Sequence, residues 1–248
     1  MSGVLVVTGG SRGIGAAICT LAAERGYDVV VNYSGDSEPA AEVVSQVRAH
    51  GRKALAVRAD VADERQVRKL FGTAGEMGSL VGVVNNAAIT GNTPGRLDEQ
   101  SAATVRRVLE VNVGGVFLCC REAVRRLSTR YGGPGGAIVN VSSTAARTGS
   151  AGEWVHYAAT KAAVDTLTYG LAQEVAGEGI RVNAVAPGLV ATGLHSAAGL
   201  PDRLSRLAPG IPLGRPGEPG EIAEAVLWLL SPASSFTVGA VLEVGGGR

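Results

Sequence analysis

Val4-Leu5-Val6-Val7-Thr8-Gly9-Gly10-Ser11-Arg12-Gly13-Ile14-Gly15 stands near the start of the chain and decides how the rest is read. Four consecutive apolar residues, without alternation, suit a strand buried on both faces of a sheet. The glycines that follow permit a tight turn and a close approach of backbone. The apolar pattern resuming at Ile14 reads as a helix, and the turn aims that helix's first N–H groups at whatever sits above it. A helix start of this kind attracts an anion such as a pyrophosphate. A Gly-rich turn alone is a weak signal; its place between strand and helix favours a nucleotide.

The same alternation continues outward. Short β-branched runs occur at 4–7, 29–32, 54–58, 80–85, 137–141, 181–186 and 240–244. Helical patterns fill the intervals at 13–25, 38–51, 63–76, 101–130, 154–177 and 218–230. Strand–helix alternation predicts a parallel sheet with right-handed crossovers. The expected fold is α/β: one Rossmann-type, doubly wound parallel sheet of about seven strands with helices on both faces. With no repeat and no low-complexity linker, residues 1–248 read as a single dinucleotide-binding domain. The stretch 189–219, rich in Gly, Pro, Leu and Arg, is the one long irregular excursion and reads as a lid or substrate loop.

Composition excludes several classes. The chain of 248 residues is 46% hydrophobic and 18% charged, and its 36 glycines show no three-residue period, which rules out collagen-like and disordered readings. Lys and Arg number 23 against 22 Asp and Glu, so no field of one sign invites nucleic acid or a membrane surface. Arg106, Arg107, Arg121, Arg125, Arg126 and Arg130 gather on one expected helix and read as a solvated or inter-subunit face. Cys19, Cys119 and Cys120 are an odd number without metal-ligand or disulfide spacing, so no metal is expected. The start lacks a cationic leader pattern and no stretch reads as a membrane span, which points to the cytoplasm.

Chemistry is expected near Tyr157-Ala158-Ala159-Thr160-Lys161. Residues i and i+4 share a helix face, so phenol and ammonium can point into one cleft. A cation beside the phenol would lower its ordinary value of roughly 10 and make it a proton-transfer group. Ser142 and Ser143 end a strand, where α/β sites gather. Asn112 falls on an apolar helix face, where an amide is costly unless fully hydrogen-bonded. Gly114 and Gly115 follow it mid-helix, which suggests a kink or close packing with a purpose.

Taken together, the Thr-Gly-x-x-x-Gly-x-Gly turn at 8–15 and the Tyr157/Lys161 pair resemble the short-chain dehydrogenases/reductases, and the resemblance spans nearly the whole chain. Within that pattern it is nearest to bacterial glucose 1-dehydrogenase-like and 3-oxoacyl-ACP reductase-like members. The resemblance implies Asn112, Ser143, Tyr157 and Lys161 as the catalytic set, with Asn112 holding a water that relays protons to Lys161. The family's register for the serine falls on Thr144, so Ser143 implies one extra residue in the loop 147–156; Ser142 and Thr144 stay open.

The cofactor-binding residues implied are Thr8, Gly9, Ser11, Arg12, Gly13, Ile14 and Gly15 in the turn, with Tyr33 and Ser34 after the second strand. Asp60-Val61 resembles the adenine-contacting pair, although Asp60 could equally cap a helix. Asn86-Ala87 belongs to a segment 85–88 in which Ala88 replaces the family's last Gly. Pro187, Gly188, Leu189 and Thr192 would lie along the nicotinamide, and Tyr157 and Lys161 would contact it as well. No carboxylate stands at Tyr33-Ser34 and Arg12 can meet a phosphate, so NADP is expected in preference to NAD.

The expected activity is hydride transfer between nicotinamide and a small carbonyl compound, sugar or secondary alcohol. Arg147, Glu153, Trp154, His156, Leu194 and His195 are candidate wall residues. Two alternatives are 3-oxoacyl-ACP reduction, disfavoured by the acid at Glu178, and a non-catalytic redox sensor or scaffold. A homotetramer or homodimer is expected, with 222–230 and 236–244 as plausible interface pieces.

Overall fold

The computed structural model describes residues 3–248, apart from the side chain of His195. Seven strands, β1 (Val4–Val7), β2 (Asp28–Tyr33), β3 (Ala54–Arg58), β4 (Leu80–Asn85), β5 (Gly136–Val141), β6 (Ile180–Pro187) and β7 (Val241–Val244), form one sheet. Their order is β3-β2-β1-β4-β5-β6-β7 and every pairing is parallel. The winding reverses between β1 and β4, which creates a crevice at their carboxyl ends.

Continuous apolar runs mark the interior strands because both faces are covered. On one face lie α1 (Gly13–Glu24), α2 (Glu38–Ala49) and α10 (Pro219–Leu230); Ile18, Val43 and Val226 from them pack with Leu5, Val29 and Val139. On the other lie α3 (Glu64–Met77), α4 (Ala102–Leu109), α5 (Gly115–Leu127) and α7 (Val155–Val175); Phe71, Leu127 and Val164 pack there with Val6, Val83 and Ile138.

The expected helix over 101–130 is interrupted. Residues Glu110–Gly114 make a π-helical turn between α4 and α5, with Asn112 fully buried within it. Gly115 explains part of the pattern: a Cβ there would stand 2.6 Å from Val61 Cγ2, so only glycine lets α5 approach the end of β3 so closely. Gly114 has no such constraint.

The irregular stretch expected at 189–219 contains two short helices, α8 (Leu194–Ala197) and α9 (Arg203–Leu207), and is pinned at its base by a parallel bridge between Val190 and Gly217. Another short helix, α6 (Ala145–Thr148), precedes a loop in which Gly149, Ser150 and Gly152 all have positive φ. No helix among the described residues is long and apolar enough to cross a membrane.

The arginine face expected as solvated is mostly ion-paired within the chain. Glu122, 3% exposed, receives Arg125 at 2.9 Å and Arg126 at 2.6 Å. Burial works to raise the Glu122 carboxyl, but these guanidiniums outweigh it and hold the group below its usual range. Arg121 and Arg107 reach Glu64 and Asp60, and Arg130 approaches Glu178 at 3.9 Å. The three cysteines are buried thiols, and no metal-holding cluster of His, Cys, Asp or Glu occurs among the described residues.

Candidate active site

The Gly-rich turn is clasped to the end of β4. Thr8, 2% exposed, accepts the N–H groups of Asn86 and Ala87 on its hydroxyl at 2.9 and 3.1 Å. Asn86 Nδ2 donates back to the carbonyls of Thr8 and Gly9, each at 3.0 Å. Asn32, buried in β2, accepts the Gly9 N–H and donates to Ala59 O, so three strand ends are tied together. Thr8 and Asn86 thus spend polar atoms on shaping the turn.

Gly9 and Gly13 have φ of +60° and +53°, which side chains rarely adopt, and a Cβ on Gly15 would strike Gly9 O and Asn86 Nδ2. Arg12 occupies the N-cap position of α1 without making a side-chain cap, whereas Asp63 caps α3 by accepting from Arg65 and Gln66 N–H groups. The start of α1 is therefore left to an external acceptor, and the cradle fits a pyrophosphate.

Asp63, not Asp60, is the helix cap; Asp60 instead accepts Ala62 N–H and pairs with Arg107. Beside Ser34 stands Arg58, whose Nε donates to Ser34 O at 3.4 Å. Arg12 is matched by Asp36 at 2.9 Å, a carboxylate three residues past the end of β2 that sequence reasoning passed over. Val61 is buried against Gly115, and Leu189 is 7% exposed. Thr192 lies beside the turn, where a Cβ on Gly13 would meet its methyl at 3.3 Å. Ser11 and Ile14 are part-buried in the turn. Pro187 O accepts Thr144 N–H at 2.9 Å, and Gly188 passes so close to Gly245 that a Cβ would sit 2.7 Å from its Cα.

Across the crevice, α7 carries Tyr157 and Lys161 one turn apart. The Ser143 side chain lies near enough to the Tyr157 phenol to favour its ionised form, while its hydroxyl accepts Ala145 N–H at 3.1 Å and donates to Pro187 O at 3.5 Å. Ser142 donates to Lys161 O at 3.3 Å, and a Thr144 methyl lies near Gly245. Burial pushes the Tyr157 phenol up to about 12, against the influence of the nearby Ser143 hydroxyl and the charge of Arg203. Lys161 Nζ donates to Val141 O at 2.7 Å and lies 5.5 Å from the Tyr157 ring centroid. Burial lowers Lys161 to about 8, with the Asp165 carboxylate acting the other way.

Asn112 is joined to the same assembly. It accepts Ile89 N–H at 2.8 Å and donates to Ile89 O at 2.8 Å and Thr160 Oγ1 at 3.1 Å. Thr160 in turn donates to Tyr157 O. Sequence reasoning missed Thr160 and Asp165, both readable only as residues between or beyond the Tyr–Lys positions on one helix.

Of the expected wall residues, Glu153 pairs with Arg203 and Arg206, and the Arg203 guanidinium lies 5.0 Å over the Trp154 ring. His156 Nε2 meets Thr90 O at 2.8 Å. Arg147 pairs with Glu243, and Leu194 is exposed. The side chain of His195 lies outside the described residues.

A doubly wound parallel sheet with a Gly-rich turn at its switch point is the architecture of dinucleotide-binding proteins. A family model described as enoyl-(acyl carrier protein) reductase matches residues 9–248. The chain is 47% identical to the uncharacterized oxidoreductase YgfF of Escherichia coli strain K12, covering 99% of each. It is 46% identical to the cis-4-hydroxycyclohexanecarboxylate dehydrogenase of Sinomonas cyclohexanicum, over 98% of this chain and 95% of that one. Among solved structures, a Mycobacterium marinum short-chain dehydrogenase/reductase superposes with a TM-score of 0.92 at 34% identity, covering 99% of this chain and 94% of the other. The chain belongs to the short-chain dehydrogenase/reductase family. Its members are oxidoreductases acting on alcohol or carbonyl groups with a nicotinamide cofactor.

Proposed function

We propose that the protein transfers hydride between NADP and a small carbonyl compound or secondary alcohol, with Tyr157 as the general acid and base. The observation that carries this is the Tyr157 phenol, one helical turn from the buried Lys161, whose Nζ donates to Val141 O at the carboxyl end of β5. A nicotinamide bound along the Gly-rich turn and Thr192 would supply the hydride donor or acceptor. Ser143 and Tyr157 hold the substrate oxygen by hydrogen bonds. In reduction, the phenol gives its proton to that oxygen, and its raised value keeps the proton in place until then. Lys161 holds positive charge near the phenolate that remains. Asn112 fixes the backbone at Ile89 and, through Thr160, the first turn of α7.

Preference for NADP is supported by Arg58, which borders Ser34, and by Arg12 in the Gly-rich turn; a 2′-phosphate would draw Arg12 from its exposed pair with Asp36. Comparing KM for the two cofactors checks this, and a lower KM for NAD would refute it. The ion pairing of Arg125, Arg126 and Arg130 favours a small free substrate over a carrier-bound one, because little basic surface is left for an acidic carrier. The Sinomonas relative acts on a small cyclic alcohol, in keeping with this size. Buried thiols without disulfides accord with a cytoplasmic setting.

The test is a panel of carbonyls and alcohols followed by NADPH absorbance. Tyr157→Phe is expected to bind cofactor as the wild type does and to lose about 10²–10⁴-fold in turnover. Undiminished turnover would overturn the assignment. Cofactor binding without turnover across the panel would favour a sensor instead.

A further inference from the structure

Tyr157, Lys161 and Asp165 follow one another at four-residue steps on α7. Residues so spaced share a helix face, and each side chain leans over the turn before it. Ser142 marks where that lean brings the Asp165 carboxyl. Its hydroxyl donates to Lys161 O at 3.3 Å, and the same side chain lies near enough to Asp165 to favour the ionised form. The carboxyl therefore reaches back to the turn that bears Lys161. Asp165 Oδ1 is sealed from water and has no hydrogen-bond partner. A carboxylate oxygen left in this way is costly unless a charge compensates it.

Lys161 has the converse need. It is 4% exposed, and its Nζ donates to Val141 O. A carbonyl carries no net charge, so that bond by itself does not offset the burial of an ammonium. Ser142 and the Tyr157 phenol beside it are neutral hydroxyls. Glu243, from β7, acts on Asp165 as a like charge and is itself matched by Arg147 of α6 at 3.0 Å. The carboxylate whose charge acts on Lys161 is that of Asp165. Away from water, a charge one helical turn away is felt strongly.

We propose that Asp165 is a positioning residue for the reaction: its carboxylate keeps the proton on Lys161, so that an ammonium and not a neutral amine stands beside Tyr157 near neutral pH. Asp165 touches neither substrate nor cofactor and acts through Lys161 alone. The proposal rests on the reading of Tyr157 as the general acid and base.

The experiment reads Lys161 itself. The chain has three lysines, of which Lys53 and Lys69 are exposed. In the full-length protein labelled with ε-¹³C-lysine, the resonance missing from Lys161→Met is that of Lys161. Its titration midpoint is expected to fall by about one pH unit or more in Asp165→Asn and to recover in part in Asp165→Glu. With NADPH and a substrate taken from the panel, the alkaline fall of kcat for reduction should move to lower pH by a similar interval, which a loss of packing would not produce. Thermal melting verifies that each variant is folded. An unmoved midpoint in folded Asp165→Asn, or a kcat profile that stays in place while the midpoint falls, would overturn the proposal. Should Asp165→Asn not fold, the reciprocal arm decides, because the coupling acts equally on both groups. With γ-¹³C-aspartate, the Asp165 midpoint should rise in Lys161→Met; an unmoved midpoint there overturns the proposal as well. A panel without turnover, or undiminished turnover in Tyr157→Phe, sinks the reading of the site. That failure shows without any variant of Asp165, so it is told apart from failure of the Asp165 link.

Discussion

At the scale of the residue, Lys161 has a measurable signature. Its folded value of about 8 lies below the ordinary 10.5, so unfolding takes up a proton between those limits. The contribution of Lys161 to stability is therefore present above pH 10.5 and lost as pH falls through 8. Replacing Lys161 with Met removes this dependence. The stability of wild type minus that of Lys161→Met should rise by on the order of 2–3 kcal/mol from pH 7 to 10.5, read from denaturant midpoints of the cofactor-free protein. A flat difference would show that the ammonium is not held out of water. Single residues are also where the sequence was least legible. Ser142, Ser143 and Thr144 are adjacent hydroxyls that no local pattern separates, and only the fold shows that Ser142 donates to Lys161 O whereas Ser143 donates to Pro187 O. Asp36 and Arg12 stand 24 residues apart, and Glu153 and Arg203 stand 50 apart, so no local pattern announces either pair.

At the scale of the element, periodicity carried much further. Strands and helices lie within a few residues of where apolar runs and 3.6-residue stripes put them, because a sheet covered on both faces demands continuous Val and Ile. The glycine pair at 114–115 foretold a break in the long helix, though not that it would be a π turn around Asn112. The two glycines should now part company on substitution. Gly115→Ala would force its methyl onto Val61, and the overpacking of about 1–3 kcal/mol should exceed the gain in helix propensity of up to about 1 kcal/mol. Gly114→Ala meets nothing nearer than Leu109 O at 4.0 Å and should stabilise by up to about 1 kcal/mol. Paired urea melts check both; equal effects would refute the packing argument.

At the scale of the whole molecule, one edge remains apolar and uncovered. Phe236 is fully exposed, and Trp228, Val238 and Val241 each leave more than a third of their surface to solvent around α10 and β7. Tyr169 continues the patch, since a Cβ on Gly239 would lie 3.4 Å from its ring. Contiguous apolar surface of this kind predicts self-association. Light scattering at roughly micromolar concentration should report an oligomer, and Phe236→Glu should lower its mass; a wild-type monomer would refute the prediction. The clasp of the Gly-rich turn also orders events in time. Thr8 reaches Asn86 across 78 residues, so the turn closes only after β4 has been synthesised and inserted. Such sequence-distant contacts form late, because loop closure must come first. The Gly-rich turn at the beginning of the chain is thus unfinished while the first third emerges from the ribosome, and a cofactor that needs the clasped turn would find it only after β4 is in place.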